Sequence, residues 1–352
     1  MDMNSYLKEK KEVIDAIIET HLPRKYKKES MEKILGKEKF SFDTDAVNGA
    51  VAEPVWDFLD RGGKRWRPAL FLLLTEALEG NTERVKRFTA LIELVHNGTI
   101  IVDDIEDDSS LRRGKECLHK IYGEDIAINV GNAVYFIPLK IIMDSEFDTE
   151  IKERAFEIYA EEMINLHFGQ AMDIFWHKGK KEMITEQQYL QMVSFKTGTL
   201  ARFAARLAAL LAGAEEETQK TLGTMAETIG IGFQIQDDIL DITAEKREKF
   251  GKVFGNDITE GKRSLMIIHV LEEGSTEDRA RLLEILDSHT RDKELIKEAI
   301  AILEKYDAVT YAKKRAREML ENAWSEAEKV LEDSEAKKTL ESFMRYLIER
   351  DV

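Results

Sequence analysis

Apolar residues recur at three- and four-residue spacing along most of this chain, with charged residues between them, which is the pattern of helices with one buried face. The four prolines are Pro23, Pro54, Pro68 and Pro138, so residues 139–352 contain none. A proline-free stretch rich in Ala, Leu, Glu, Lys and Ile reads as helix after helix. The spacing predicts helices over 69–78, 85–108, 126–142, 150–176, 186–212 and 216–241. The first of these starts just after Pro68, a favourable residue at a helix start. Glycines at 62–63, 114, 123 and 251–261 supply breaks. Residues 1–50 are polar and less clearly periodic. From 271 onward charged and apolar residues alternate at helical spacing, so Lys313, Lys314 and Arg315 read as solvated faces. No alternating run bounded by turn pairs suggests a strand. The expected fold class is all-α, as one domain over 1–352.

Charge narrows the partners. The balance is 52 − 68 = −16, which repels a phosphate backbone and argues against nucleic acid. Anionic small molecules can still be held by local cations or through metals. Cys117 is the single cysteine, so no intramolecular disulfide forms. The N-terminal residues lack the apolar segment of a secretory leader. No apolar run approaches the ~20 residues of a membrane span. These features predict a cytoplasmic protein without a membrane span.

Two acidic clusters carry the candidate chemistry: Asp-Asp-Ile-Glu-Asp-Asp at 103–108 and Asp-Asp-Ile-Leu-Asp at 237–241. Each places carboxylates at i, i+1 and i+4, so on a helix the first and last share a face. Like charges at that spacing cost roughly 0.2–0.5 kcal/mol per pair. One such cluster is easily a solvated face. Two, each set in apolar sequence, suggest a site for hard cations.

Basic motifs accompany them. Gly62-Gly63-Lys64-Arg65-Trp66-Arg67-Pro68 combines glycines, which allow close backbone approach, with three cations that suit an anion. Arg112-Arg113-Gly114 follows the first cluster. Further on stand Gly169-Gln170 with Asp173, Lys196-Thr197, Phe233-Gln234, Lys252, and Gly255 to Lys262 with Asp257, Glu260 and Gly261. Each alone has an ordinary explanation. In this order the set resembles the trans-isoprenyl diphosphate synthases, the polyprenyl synthetase family, whose pattern runs GGKRxRP, DDxxD, RRG, GQxxD, KT, FQxxDDxLD and GxDxxEGK. The flanks of the first cluster, with His119-Lys120-Ile121-Tyr122-Gly123, look most like the geranylgeranyl diphosphate synthases. Val102 departs from the His that many bacterial members carry there, and Met266 from a Pro. The motif core covers about 50–265, and 270–352 adds only helicity.

The resemblance implies a helical bundle around a central cavity and head-to-tail prenyl transfer. An allylic diphosphate ionises, and isopentenyl diphosphate attacks the resulting cation. Several Mg²⁺ ions are implied, with Asp103, Asp107 and Asp237 as the expected direct ligands. Asp104, Asp238 and Asp241 complete the metal set through water or as supports. Arg112, Lys196 and Lys252 are expected at the allylic diphosphate. Lys64, Arg67, His96 and Arg113, together with Arg65, are expected at isopentenyl diphosphate. Thr197 and Gln234 would orient groups near the cation, Lys262 joins the substrate-binding charges, and Asp173 supports them. Glu106 and Asp108 read as solvated neighbours. No side chain is assigned as base, because the departing pyrophosphate is expected to take the proton. A homodimer is implied by the family.

Gly98 and Thr99 precede Asp103 by five and four residues, the family's place for the floor that limits product length. Both are small, which points to a twenty-carbon product rather than fifteen, with Tyr135, Phe136 and Ile137 as alternative floor residues. A fifteen-carbon product, or one of twenty-five carbons and longer, is the alternative with the same chemistry. A terpene cyclase or head-to-head synthase shares the metal logic but not the GGKRxRP and KT set. A noncatalytic regulatory subunit would have eroded acidic motifs, and a plain metal-binding scaffold leaves the basic motifs unexplained.

Overall fold

The computed structural model describes residues 3–180, 183–243 and 255–349. Its helices of eight or more residues are α1 (Met3–His21), α2 (Lys28–Leu35), α3 (Glu53–Asp60), α4 (Trp66–Ala77), α5 (Phe88–Glu106), α6 (Glu124–Phe136), α7 (Thr149–Phe175) and α8 (Glu186–Val193). They continue with α9 (Thr199–Ala212), α10 (Glu216–Thr243), α11 (Leu265–Glu273), α12 (Thr276–Asp287), α13 (Lys293–Lys305), α14 (Ala308–Ala327) and α15 (Glu335–Glu349). The fold is all-α. Two two-residue strands, β1 (Leu111–Arg112) and β2 (Lys115–Glu116), form one antiparallel hairpin.

The chain forms two compact units: residues 1–158 with 207–215, and residues 159–206 with 216–352. In the first, α4 is buried at every position except Glu76, as expected of a core helix that is apolar all round. Helix α5 is buried from Phe88 to Val95 and packs against α1, α4 and α6. Residues 1–50, unreadable by periodicity, supply α1, whose Ile14 and Ile18 are fully covered. In the second unit α10 runs through the core and packs along α14. Ile235, Ile239, Ile267, Leu282, Leu286 and Ala312 belong to one apolar cluster there.

Three departures from the sequence reading have local causes. The segment expected as one helix over 126–142 ends at Phe136, and Ile137–Leu139 is a 3₁₀ turn containing Pro138, which cannot continue an α-helix. By length and composition alone Glu124–Met143 would suffice to cross a membrane, but it is broken by that turn, and α6 lies on α5. The segment over 186–212 is split by a π-turn at Ser194–Gly198. The hairpin was invisible because two-residue strands cannot show alternation. Its turn residues Arg113 (φ 53°) and Gly114 (φ 78°) are both left-handed, as a two-residue hairpin loop requires.

Candidate active site

The first acidic cluster forms the last turn of α5 and its exit. Asp103 and Asp107 share a face, the Asp107 amide donating to the Asp103 carbonyl at 2.9 Å. Both are half-buried, whereas Asp104 is only 1% exposed. Arg112 reaches back from β1 and places its nitrogens 2.6–2.7 Å from Asp104 Oδ1 and 3.7 Å from Asp103. Burial pushes the Asp104 carboxyl up, and Arg112 opposes it. Burial and Asp104 together push the neighbouring Cys117 thiol up to about 12. Asp108 turns outward and pairs with Lys120 at 2.5 Å. Five carboxylates thus crowd a helix C-terminus, where the macrodipole is negative and each costs about 0.3–1 kcal/mol. That end of α5 favours cations.

Two turns earlier on α5 the polarity reverses. The His96 ring nitrogen Nε2 lies 3.2 Å from a guanidinium nitrogen of Arg67, the residue after Trp66 at the start of α4. Burial lowers the His96 pKa well below 6.5, and Arg67, Arg113, Arg65 and Arg112 lower it further, so the ring is neutral. Arg113 donates to the Gly62 carbonyl and, at 3.3 Å, to Asn97 Oδ1. Gly63 takes φ 137°, and a Cβ there would stand 2.7 Å from an Arg65 nitrogen, so the loop needs glycine. Lys64 is exposed at its tip. Arg67, His96 and Arg113 therefore come together within the first unit, and Lys64 stands exposed on the adjoining loop.

Arg65 is placed differently. It is left-handed (φ 54°) and 4% exposed, and it donates to Asp15 at 2.8 Å, Glu93 at 3.0 Å and the Gly62 and Leu59 carbonyls. Its guanidinium shapes the loop and joins it to α1. Glu93 and Asn97 escaped the sequence reading because they sit inside an apolar run; their one signal was Glu93, Asn97 and His96 at helical spacing.

Gly98 lies at a close crossing of two helices. A Cβ there would meet Val134 at 2.7 Å, the Gly131 carbonyl oxygen at 2.9 Å and Tyr135 at 2.9 Å. Its smallness is explained by the crossing of α5 and α6. Thr99 is half-buried, its hydroxyl donating to the His96 carbonyl at 2.8 Å. Tyr135 is buried, Ile137 half-buried, and Phe136 is 65% exposed.

The second unit carries the second cluster near the end of α10. Asp237 is half-buried, while Asp238 and Asp241 are buried. Both Asp238 oxygens accept hydrogen bonds: Oδ1 from Gln234 Nε2 at 2.8 Å and Oδ2 from the Tyr189 hydroxyl at 2.9 Å. Thr197 extends the chain by donating to Gln234 Oε1 at 3.0 Å. Burial and Asp257 push the Asp238 carboxyl up to about 7. Asp241 accepts the Asp257 amide at 3.1 Å, tying α10 to the Gly255–Lys262 motif. Lys262 pairs with Glu260 at 2.7 Å and Asp257 at 3.3 Å. Tyr189 had no sequence signal. Lys252 lies outside the described residues.

Lys196 stands in the π-turn and meets Asp173 of α7 at 2.5 Å. Burial raises the Asp173 pKa, but Lys196 and Lys262 outweigh it and hold it below the usual range. A Cβ on Gly169 would fall inside contact of the Lys196 amide nitrogen and 2.7 Å from the Phe195 carbonyl carbon. Glycine at 169 lets α7 approach the π-turn backbone closely enough for that pair to form.

The donor set fits Mg²⁺. Each cluster offers hard carboxylate oxygens that are only half-covered (Asp103, Asp107 and Asp237), with buried carboxylates behind them already held by hydrogen bonds or Arg112. Among the described residues no three His, Cys, Asp or Glu side chains could hold a metal ion by themselves. A Mg²⁺ bound through one or two carboxylates, water and substrate phosphates needs no such cage.

A family model, polyprenyl synthetase, matches residues 48–303. The short chain isoprenyl diphosphate synthase of Methanothermobacter thermautotrophicus is 35% identical over 290 residues, 82% of this chain and 87% of that protein. The geranylgeranyl pyrophosphate synthase of Geoglobus acetivorans is 36% identical over 294 residues, 84% of this chain and 89% of that protein. The crystal structure of geranylgeranyl pyrophosphate synthetase from Pyrococcus horikoshii aligns with TM-score 0.86 at 31% identity, covering 99% of both chains. By its fold, its ordered motifs and these likenesses, the chain belongs to the polyprenyl synthetase family.

Proposed function

We propose that this protein is a trans-prenyltransferase that joins an allylic diphosphate head-to-tail to isopentenyl diphosphate, giving geranylgeranyl diphosphate. One observation carries the reading: α5 is acidic at one end and faces arginines two turns earlier. Asp103 follows His96 by seven residues, about 10 Å of helix rise. Two diphosphates can be held near one helix and kept distinct by chemistry. The one that leaves is assigned to the aspartates, and the one that stays to Lys64, Arg67, His96 and Arg113.

Mg²⁺, when bound, supplies Lewis acidity toward the departing diphosphate. Asp103 and Asp107, with Asp237, are assigned as its direct carboxylate ligands. Asp104 steadies the end of α5 through Arg112, and Asp238 and Asp241 steady the end of α10 through Tyr189, Gln234 and the Asp257 amide. Arg112 and Lys196, with Lys252, are assigned to the allylic diphosphate, and Asp173 fixes Lys196. Lys262 supports the second cluster, and the Thr197–Gln234 pair orients polar atoms beside it. The allylic C–O bond breaks, the terminal alkene carbon of isopentenyl diphosphate forms the new C–C bond, and the proton lost goes with the departing pyrophosphate. Arg65 is assigned to shaping the loop.

The twenty-carbon product rests on the names of the relatives and the flanks of the first cluster, not on Gly98. A homodimer is supported by exposed apolar faces, which on a lone chain would meet water. On α6, Ile128 and Phe136 are 46% and 65% exposed; on α7, Ile164, Phe168 and Phe175 are 59%, 66% and 52% exposed. A cytoplasmic location completes the proposal. The test is incubation with isopentenyl diphosphate, each allylic starter and Mg²⁺, then chromatography of the dephosphorylated products. A main twenty-carbon alcohol is expected; no consumption of isopentenyl diphosphate would overturn the reading.

A further inference from the structure

Asn97 is 2% exposed and lies between a carboxylate and a guanidinium. Its Nδ2 donates to Glu93 Oε1 at 2.9 Å and to the Glu93 carbonyl oxygen at 2.7 Å, one turn back on α5. Its Oδ1 accepts from Arg113 at 3.3 Å. The chemistry fixes this orientation. A carboxylate and a carbonyl offer only lone pairs, so the amide NH₂ must face them, leaving the amide oxygen for the guanidinium. Leucine offers neither function. An ionised aspartate would set a second carboxylate against Glu93.

Glu93, 2% exposed, also accepts from Arg65 at 3.0 Å. It bonds Arg65 directly, whereas toward Arg113 it acts through space, with the neutral Asn97 amide between them. The other direct partners of Arg113 among the described residues are the Gly62 carbonyl and the Phe58 ring, 4.9 Å away, while the carboxylates of Glu93 and Asp104 act on it only through space. Arg112 contrasts with it, standing 2.6 Å from Asp104. Burial lowers the Arg113 pKa to about 10, Glu93 opposing and Arg65 and Arg112 adding to it, so the group is still charged at neutral pH.

We infer that Asn97 is a positioning residue for isopentenyl diphosphate: it holds Arg113 in place with a neutral acceptor, leaving the guanidinium charge for the diphosphate that stays. The inference rests on the proposed assignment of Arg113 to that diphosphate.

Steady-state kinetics of the full chain, varying each substrate in turn, tests it. Asn97→Leu is expected to raise KM for isopentenyl diphosphate about tenfold or more, with kcat and the allylic KM within about twofold. Asn97→Asp tests the donor–acceptor pattern. Ionised, it neutralises Arg113 and competes with the diphosphate. Protonated, the new carboxyl would offer one donor to Glu93 and one acceptor to Arg113, short of the amide's second donation to the Glu93 carbonyl. The charged groups around it are Glu93, Arg65 and Arg113, with His96 adjacent in sequence, so the KM is read as a ratio to wild type at each pH. That ratio should be well above one at pH 8, and a ratio of one there would overturn the account. Arg113→Gln separates the two claims. If it raises KM for isopentenyl diphosphate and Asn97→Leu does not, the inference fails and the assignment stands; if neither does, both fail. A uniform loss on both substrates would make Asn97 merely structural and would also overturn it.

Discussion

Gly98 and Gly131 meet where α5 crosses α6: a Cβ on Gly98 would stand 2.9 Å from the Gly131 carbonyl oxygen, and one on Gly131 would stand 2.6 Å from Val102. The helix that carries Asp103 is seated by two glycines. Gly98→Ala should cost about 1–3 kcal/mol of stability by overpacking, without shortening the product. Urea denaturation and product chromatography on the same preparation check this. A stable Gly98→Ala protein making a fifteen-carbon product would restore Gly98 to the tunnel floor.

Asp103 and Asp104 are neighbours with opposite expected phenotypes. Asp103 is half-buried, so Asp103→Asn should leave the melting temperature within a few degrees and lower kcat by about 100-fold or more. Asp104 is buried against the half-buried Arg112, so Asp104→Ala removes a charged hydrogen-bond partner and should cost about 1.5–3 kcal/mol. Paired thermal melts and turnover numbers distinguish them.

His96 links pH to stability and binding. Its folded pKa lies below the unfolded 6.5, so the unfolded chain binds the proton more readily. Its contribution is present above pH 6.5 and is lost as pH falls through the folded value. Wild type should therefore lose stability more steeply below pH 6.5 than His96→Gln, as read by denaturant melts across pH. Isopentenyl diphosphate would offset the surrounding arginines and raise the pKa. Binding below pH 6.5 should take up a proton, measurable by calorimetry in buffers of different ionisation enthalpy.

The exposed stripe Ile164, Phe168 and Phe175 on α7 should be covered in solution. Phe168→Glu is expected to shift the molecular mass by light scattering from dimer towards monomer. A wild-type monomer would contradict the dimer.

Much of this was legible in the sequence, for physical reasons that differ by element. The helix over 150–176 and α10 were readable because long periodic segments with no proline admit few alternatives. The acidic clusters were readable because like charges at helical spacing carry a cost that invites an explanation. Sequence could sort Asp103 from Asp104 only by family likeness; the structure sorts them by burial and Arg112. The Arg113 turn was hidden because the first of its two left-handed residues is an arginine rather than the usual Asn or Gly. The π-turn at Lys196 was hidden because it keeps the α-helical apolar pattern and is set by Gly169 and Gly230, whose contacts are far away in sequence. The role of Arg65 needed Asp15, fifty residues away on α1.

The central claim is that metals serve the leaving diphosphate and side-chain cations serve the one that stays. Calorimetric titration of each ligand, with Mg²⁺ and with chelator, tests it most directly. Isopentenyl diphosphate should bind with Kd unchanged within about twofold on metal removal, while an unreactive allylic thiodiphosphate should weaken about tenfold or more. Equal metal dependence of the two ligands would contradict the account.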